Sequence, residues 1–96
     1  MPTVRAGDFE WDAAKAAANV RKHGVTFEEA MTVFLDDLAV PFQDTTDSER
    51  LVLIGHSSVG RVLLVIFTER IHGRILRIIS ARRASKRERR AYEQEQ

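Results

Sequence analysis

The 96-residue sequence contains no cysteine. Without a thiol the chain forms no disulfide, no thiolate metal site and no cysteine nucleophile, and it is compatible with a reducing cytoplasm. The sequence also lacks any apolar run near the roughly 20 residues of a membrane span, and its opening residues, MPTVRAGD, form no apolar signal core. We therefore expect a cytoplasmic protein that does not contact a membrane.

The net charge of +1 conceals a strong asymmetry along the chain. Residues 1–60 carry five basic and ten acidic residues, whereas residues 61–96 carry ten basic and four acidic ones. Such halves indicate either a polyanionic partner for the basic half or neutralisation of one half by the other. The length fits one domain spanning residues 1–96.

The first half predicts a short strand and two helices. Residues 9–11 alternate apolar and polar side chains, as a strand does, and Asp12 is suited to cap the helix predicted over residues 13–22. A capping box, Thr26 with Glu29, begins the second helix. Its apolar residues recur at helical spacing and are all expected to face the core: Phe27, Ala30, Met31, Phe34 and Leu35.

The second half predicts a sheet followed by a helix. Residues 50–57, 62–69 and 74–81 are rich in β-formers and are separated by glycine turns, which favours an antiparallel meander. Residues 38–42 are a candidate short strand, and Pro41 indicates that this strand would lie at the edge of the sheet. A second capping box, Ser85 with Glu88, begins a C-terminal helix. The predicted fold is α+β, with two N-terminal helices packed on one face of an antiparallel sheet of three to four strands, and a C-terminal helix.

Several separated motifs resemble the BrnT family, the toxin half of bacterial type II toxin-antitoxin pairs. They are FEWD (9–12), Lys15, Asn19, KHGVTFEEA (22–30), VFLD (33–36), TER (68–70) and RIISARRASKRERRAYE (77–93). The resemblance implies a RelE-like fold and a ribonuclease that inhibits translation without a metal or other cofactor. It also implies neutralisation by a cognate antitoxin, BrnA-like, whose ribbon-helix-helix domain provides the only contact with DNA.

The sequence departs from the family pattern at two positions. Phe67 stands where the family often has tyrosine, and Asp47 stands where it often has histidine. If either family side chain takes part in the chemistry, we expect a weaker activity in this chain.

Metal-independent RNA cleavage needs a base, an acid and cations that stabilise the charge of the transition state. Arginine suits the cationic role because its guanidinium stays charged and binds phosphate oxygens through paired hydrogen bonds. The best candidates are Arg82 and Arg83 at the end of the last strand, followed by Arg70 on the neighbouring strand. The alternative is that each arginine pairs with a carboxylate of the chain itself.

His23 and Glu69 are the candidate proton-transfer groups, and Tyr92 is a candidate for base stacking or proton transfer. Each has a structural alternative: His23 as a helix-capping residue, Glu69 in a surface ion pair, and Tyr92 as the anchor of the last helix. His56 and His72 are weaker candidates, and neither has a companion at metal-ligand spacing, so no metal site is predicted. The predicted RNA-binding residues are Lys22, Arg77, Lys86 and Arg89.

A second hypothesis is a binding module without enzymatic activity. In this interpretation the basic strand and helix only bind an acidic partner, or hold nucleic acid without cutting it. It predicts no RNA cleavage by the isolated chain and, for nucleic-acid binding, an affinity that falls steeply as salt rises.

Overall fold

The structure, a computed structural model, describes residues 2–43 and 49–95. Most of the predicted loop after residue 42, including Asp47, therefore lies outside the described residues. The strands are β1 (Thr3–Ala6), β2 (Phe9–Asp12), β3 (Val40–Gln43), β4 (Leu51–His56), β5 (Val62–Arg70) and β6 (Ile75–Arg83). The helices are α1 (Ala13–His23), α2 (Phe27–Thr32), which continues as a 3-10 turn (Val33–Leu35), and α3 (Lys86–Gln94).

The strands form one mixed sheet in the order β1-β2-β6-β5-β4-β3. The predicted meander of β4, β5 and β6 is confirmed, and β3 is an edge strand as predicted. The predicted sheet of three to four antiparallel strands is wrong in its size and partly in its direction. β1 forms a hairpin with β2, and β2 pairs with β6 in parallel, because α1 and α2 separate β2 from the rest of the sheet and return the chain to it.

The helix ends follow the local sequence. The Asp12 side chain accepts hydrogen bonds from the backbone N–H groups of Ala14 and Lys15, and Gly24 closes α1 at φ 69°, where a side chain would be strained. Ser85 and Glu88 form a complete capping box at the start of α3. The caps predicted at Asp12 and at Ser85 with Glu88 are confirmed because each depends on residues within one turn of the chain.

The prediction that the apolar residues of α2 all face the core is wrong for the last of them, Leu35. Phe27 and Ala30 are buried, but Leu35 is 81% exposed and Val33, which the stripe leaves out, is fully buried. The α-helix ends at Thr32 and the next three residues form a 3-10 turn. With three residues per turn instead of 3.6, Leu35 rotates away from the sheet and Val33 rotates toward it.

The helices cover both faces of the sheet. α1 and α2 pack on one face, called the helix face, over Leu63, Val65 and Phe67 of β5. α3 packs on the other face, where Tyr92 contacts a cluster that contains Ile54 and Leu64. The two N-terminal helices therefore share one face as predicted, whereas α3, for which no face was predicted separately, covers the other because β5 is apolar on both sides.

Phe67, one of the two departures from the family pattern, belongs to the core under the helix face. It is 8% exposed and its ring packs edge-on against Phe34 with a centroid distance of 4.9 Å. Its contribution in this chain is therefore packing.

Candidate nucleic-acid interface

The strand register separates the predicted catalytic arginines. Arg82 lies opposite Leu64 near the start of β5, whereas Arg70 ends β5 and lies opposite Ile75. The six residue steps from Leu64 to Arg70 span roughly 20 Å at about 3.3 Å per step. The candidate catalytic residues Arg70 and Arg82 therefore do not form one cluster, because in an antiparallel pair the end of one strand lies beside the start of the other.

Four arginines nevertheless share the sheet face opposite α1 and α2. Arg77 pairs in register with Thr68, and residues 64, 68 and 70 of β5 point to the same side. Glu10 lies beside Arg77, and Arg5 lies beside Glu10. We call this surface the arginine face. Its arginines are Arg5, Arg70, Arg77 and Arg82.

A buried carboxylate organises one end of the arginine face. Arg70 and Arg77 each donate a hydrogen bond of 2.6 Å from Nη1 to Oε2 of Glu10, which is 6% exposed. The hydrogen bond from Arg77 lowers the pKa of Glu10, burial opposes this effect, and the charge of Arg70 adds to the lowering. Glu10 is therefore a carboxylate at neutral pH, and it holds two guanidinium groups side by side.

A second ion pair lies at the other end of the arginine face. Arg82 donates two hydrogen bonds, of 2.8 and 2.9 Å, to the two carboxylate oxygens of Glu88 on α3. The hydrogen bond from Arg82 is the main cause that lowers the pKa of Glu88 to about 2. Arg82 also donates to the carbonyl of Arg83 at 3.3 Å. Since a guanidinium has five N–H donors, two remain for another acceptor.

The end of α3 carries a hydrogen-bonded group of three titratable residues. The Tyr92 hydroxyl donates to Oδ2 of Asp36 at 2.6 Å and lies 3.0 Å from Nδ1 of His56. Because the hydroxyl proton is used for Asp36, its oxygen accepts from Nδ1–H, and a neutral His56 ring presents a free lone pair on Nε2. The backbone N–H of His56 also donates to Asp36, at 2.8 Å.

Burial and the neighbouring carboxylate set the protonation of this group. Burial, followed by the hydrogen bond to Asp36, raises the pKa of Tyr92 to about 12. Burial also acts to raise the pKa of Asp36, but hydrogen bonds from Tyr92 and from the backbone of His56 and Leu38 outweigh it and hold that pKa below its usual value. At neutral pH the group therefore contains an ionised Asp36 and a neutral Tyr92.

The remaining predicted residues lie elsewhere. His23 and Lys22 are the last residues of α1, and Arg83 lies opposite Leu63 on the side of the helix face. Glu69 is exposed near the end of β5, where it alternates with Arg70 and lines a pocket together with Thr68 and Arg70. Lys86 and Arg89 are exposed on α3, where Arg89 lies 3.9 Å from Glu93.

The structure also explains part of the charge asymmetry. Glu10 of the acidic half pairs with Arg70 and Arg77, and Glu29 pairs with Arg61, whose guanidinium also donates to the carbonyl of Gly24 at 3.2 Å. Internal neutralisation therefore accounts for three basic residues of the second half. It leaves the arginine face with more positive than negative charge.

Sequence reasoning missed Arg5, Glu10 and Asp36, and it ranked His56 among the weaker candidates. The alternation of β2 gives one signal, because it places Glu10 opposite to Phe9 and Trp11 and therefore away from their core. His56 gives no local signal, since its partners Asp36 and Tyr92 are 20 and 36 residues away.

Within residues 2–43 and 49–95, no three side chains of His, Cys, Asp or Glu come together as a possible metal site. No helix in the same part of the chain is long and apolar enough to cross a membrane.

Comparisons with known proteins agree with the fold and the sequence motifs. The family model of BrnT, described as the ribonuclease toxin of a type II toxin-antitoxin system, matches residues 11–88. The chain is similar to the crystal structure of the Brucella abortus ribonuclease toxin BrnT, with 32% sequence identity and a TM-score of 0.65, over 79% of this chain and 94% of that chain. No curated protein matches the sequence. The chain belongs to the BrnT family of ribonuclease toxins of type II toxin-antitoxin systems.

Proposed function

We propose that this toxin binds RNA on the arginine face and cuts it, without a metal ion, where that face meets α3. One observation carries the proposal: four arginines from β1, β5 and β6 lie on the same side of the sheet. A surface with excess positive charge attracts the phosphates of a nucleic acid. We also retain a RelE-like fold and a single domain over residues 1–96 as parts of this proposal.

Arg82 is the proposed cation at the cut. Its two remaining N–H donors are available to the oxygens of the attacked phosphate, while Glu88 holds the guanidinium in place. Donors fixed in advance stabilise the charge that develops on the phosphate in the transition state.

His56 is the proposed proton-transfer group. Nε2 takes the proton of the ribose 2′-hydroxyl as the 2′-oxygen bonds to phosphorus, and the protonated ring then gives a proton to the departing 5′-oxygen as its bond to phosphorus breaks. The products are a 2′,3′-cyclic phosphate and a 5′-hydroxyl. The Tyr92 hydroxyl orients the His56 ring by its contact with Nδ1. Tyr92 lies one helical turn, about 6 Å, along α3 from Glu88, the partner of Arg82.

This assignment replaces His23 and Glu69 as proton-transfer groups. His23 ends α1 on the other side of the sheet, and Glu69 lies five residues along β5 from Leu64, the strand partner of Arg82. Lys22 and Arg83 also belong to that other side. Lys86 and Arg89 extend the basic surface along α3 and are proposed to contact RNA beyond the cut.

Cleavage assays in excess EDTA test both the chemistry and the site. We expect wild type to cut single-stranded RNA but not the same strand made with 2′-deoxyribose. We expect His56→Asn to reduce the cleavage rate at least about 100-fold, the usual minimum for loss of a general base. His72→Asn is the matched control, since His72 is exposed in the turn between β5 and β6.

The outcomes separate the parts of the proposal. Equal rates for wild type and His56→Asn would refute the role of His56 and leave the ribonuclease function intact. RNA binding without cleavage in any buffer would favour the non-enzymatic binding module. Cleavage that stops in EDTA and returns with added metal would refute metal independence.

We propose further that a cognate antitoxin neutralises the toxin by covering the arginine face with an acidic segment. The membership in a type II toxin-antitoxin family supports this partner. We infer a BrnA-like antitoxin with a ribbon-helix-helix domain, so that the pair contacts DNA only through the antitoxin and acts in the cytoplasm. Co-expression with the adjoining gene should relieve growth arrest, and arrest that persists would contradict the pairing.

A further inference from the structure

The arginine face has a second feature, far from α3, that cleavage at Arg82 does not use. Four residues from four neighbouring strands lie in one register across the sheet: Arg5, Glu10, Arg77 and Thr68. We call these residues the row. Arg70, two residues after Thr68, points to the same side and belongs to the row because it donates a hydrogen bond to Glu10. Three cationic side chains therefore surround one carboxylate on an open stretch of sheet, while α3 packs on β4.

The balance of charge at this row is positive. Glu10 accepts from Arg70 and Arg77, whereas Arg5 donates to the carbonyl of Gly7 at 3.2 Å. The other carboxylate on this side of β2 is Asp12, whose side chain accepts from the first backbone N–H groups of α1. Three guanidinium groups thus face the two carboxylates of β2, Glu10 and Asp12, the second of which also interacts with the charge of Arg77. This excess of positive charge favours an anion, while Glu49 and Glu69 line a pocket beside Arg70.

The hydrogen-bonding capacity of the row points the same way. Arg70 and Arg77 each use one N–H on Glu10, so four donors on each remain for other acceptors. The Arg70 side chain is 52% exposed and the Arg77 side chain 27% exposed, which leaves both accessible. Both donate to the same oxygen of Glu10, so the two guanidinium groups are fixed next to each other, an arrangement that matches the several oxygens of a phosphate.

The row is suited to hold a phosphate rather than to cut beside it. Glu10 is the only carboxylate in hydrogen-bonding contact with these arginines among the described residues, and two cations stabilise its ionised form and make it a weak base. The proposed cleavage groups at Arg82 lie four to six residues away along β5, roughly 13 to 20 Å at about 3.3 Å per residue. A phosphate bound here is therefore separated from the one that is cut.

We propose that Arg5, Arg70 and Arg77 form a binding site for a phosphate of the RNA strand several nucleotides from the cut, and that Glu10 positions Arg70 and Arg77 for it. This inference rests on the proposed function for the identity of the ligand as RNA. The site increases the affinity for RNA, and the chemical step does not depend on it.

The binding test uses a 2′-O-methyl RNA oligonucleotide, which cannot be cut, with fluorescence anisotropy over a series of salt concentrations. The double variant Arg5→Gln plus Arg70→Gln leaves the Glu10–Arg77 pair intact. We expect its Kd to rise at least about tenfold at low salt, because bonds to charged groups are lost. The slope of log affinity against log salt should fall by about 0.7, the contribution of one phosphate contact of a single strand.

The control double variant is Lys15→Gln plus Arg21→Gln. It removes the same charge from exposed positions on α1, which packs on the opposite face. At about 0.15 M salt, where the Debye length is about 8 Å, we expect a Kd within about twofold of wild type, since α1 packs on the opposite face of the sheet. An equal loss of affinity in both double variants would overturn the site in favour of a general effect of net charge.

Cleavage kinetics with natural RNA test the separation from the cut. Arg5→Gln plus Arg70→Gln should raise KM and leave kcat within about twofold of wild type. A fall in kcat at saturating RNA would overturn the assignment as a remote binding site. Binding that depends on Arg5 and Arg70 in a protein that never cuts RNA would support the phosphate site and contradict the proposed function.

Glu10→Gln tests the positioning role. This change removes a negative charge and so increases the positive charge of the face, yet the two neighbouring guanidinium groups then repel each other and lose their fixed geometry. We expect weaker binding and a higher KM, with kcat unchanged, in a variant whose circular dichroism matches wild type. Tighter binding, which added positive charge alone would produce, would overturn the role of Glu10.

Discussion

Replacing Tyr92 with phenylalanine should destabilise the protein by an amount that depends on pH in a specific way. The ring stays in place, so the cluster with Ile54 and Leu64 is preserved, and only the hydroxyl is lost. At neutral pH that hydroxyl donates a 2.6 Å hydrogen bond to the ionised Asp36. Bonds to charged groups contribute about 1.5–3 kcal/mol, so we expect a loss of about 2 kcal/mol in the free energy of unfolding.

The dependence of this stability difference on alkaline pH gives the sharper test. The pKa of Tyr92 is raised to about 12 in the folded protein, above its ordinary value of 10.0. A raised pKa means that the stabilisation is complete below pH 10 and is lost as the pH rises toward 12, because the unfolded chain ionises first. Two pKa units correspond to about 3 kcal/mol. The gap between wild type and Tyr92→Phe should therefore shrink above about pH 10 and approach zero near pH 12.

Urea unfolding followed by the fluorescence of Trp11, the single tryptophan and 2% exposed, measures this gap at each pH. Titration of lysines occurs in both proteins and cancels in the difference. His56→Ala is the control: it removes the bond at Nδ1 from an exposed ring and should cost less than about 0.5 kcal/mol. A gap that stays constant between about pH 8 and pH 11, or no gap at neutral pH, would refute the reasoning.

Three further predictions concern stability and are measured by the same urea unfolding. Gly55→Ala should cost about 1–3 kcal/mol, since the added Cβ would lie 2.9 Å from two neighbouring side-chain atoms; no loss would mean that these neighbours move freely. Val33→Ala should lower the free energy of unfolding by about 2 kcal/mol, and Leu35→Ser should change it by less than about 0.5 kcal/mol. A larger loss for Leu35→Ser would instead support the continuous apolar stripe that the sequence predicts for α2. Glu88→Gln should be less stable than wild type at neutral pH. Because the pKa of Glu88 is lowered to about 2, the difference in the free energy of unfolding should disappear as the pH falls from about 4.5 toward 2. A difference that persists in acid would exclude the ion pair with Arg82 as its cause.

The arginines show where prediction from sequence stops. That Arg70 and Arg82 sit at strand ends follows from the glycine turns and the apolar pattern, and both ends are confirmed. Antiparallel pairing of β5 with β6, which the sequence predicts, already implies that Arg70 and Arg82 lie at opposite ends of the two strands. That they share a face, and that Glu10 binds Arg70 and Arg77, depends on the parallel pairing of β2 with β6, for which the sequence contains no local signal.

The sequence by itself determined the helices, the caps of α1 and α3, the meander, the edge strand and the family. Each depends on residues close together in the chain, such as the Thr26 hydroxyl that accepts from the Glu29 amide, or on motifs read directly from the residues. At α2 the predicted capping box is only half formed, because the Glu29 carboxylate accepts from Ser57 and Arg61 and not from the backbone of Thr26. Only the tertiary structure decided the side of the sheet taken by α3, the two ends of the arginine face, and the contact of His56 with Tyr92 and Asp36. Those features join residues dozens of positions apart, and packing on both faces of β5 selects them, so no local pattern specifies them.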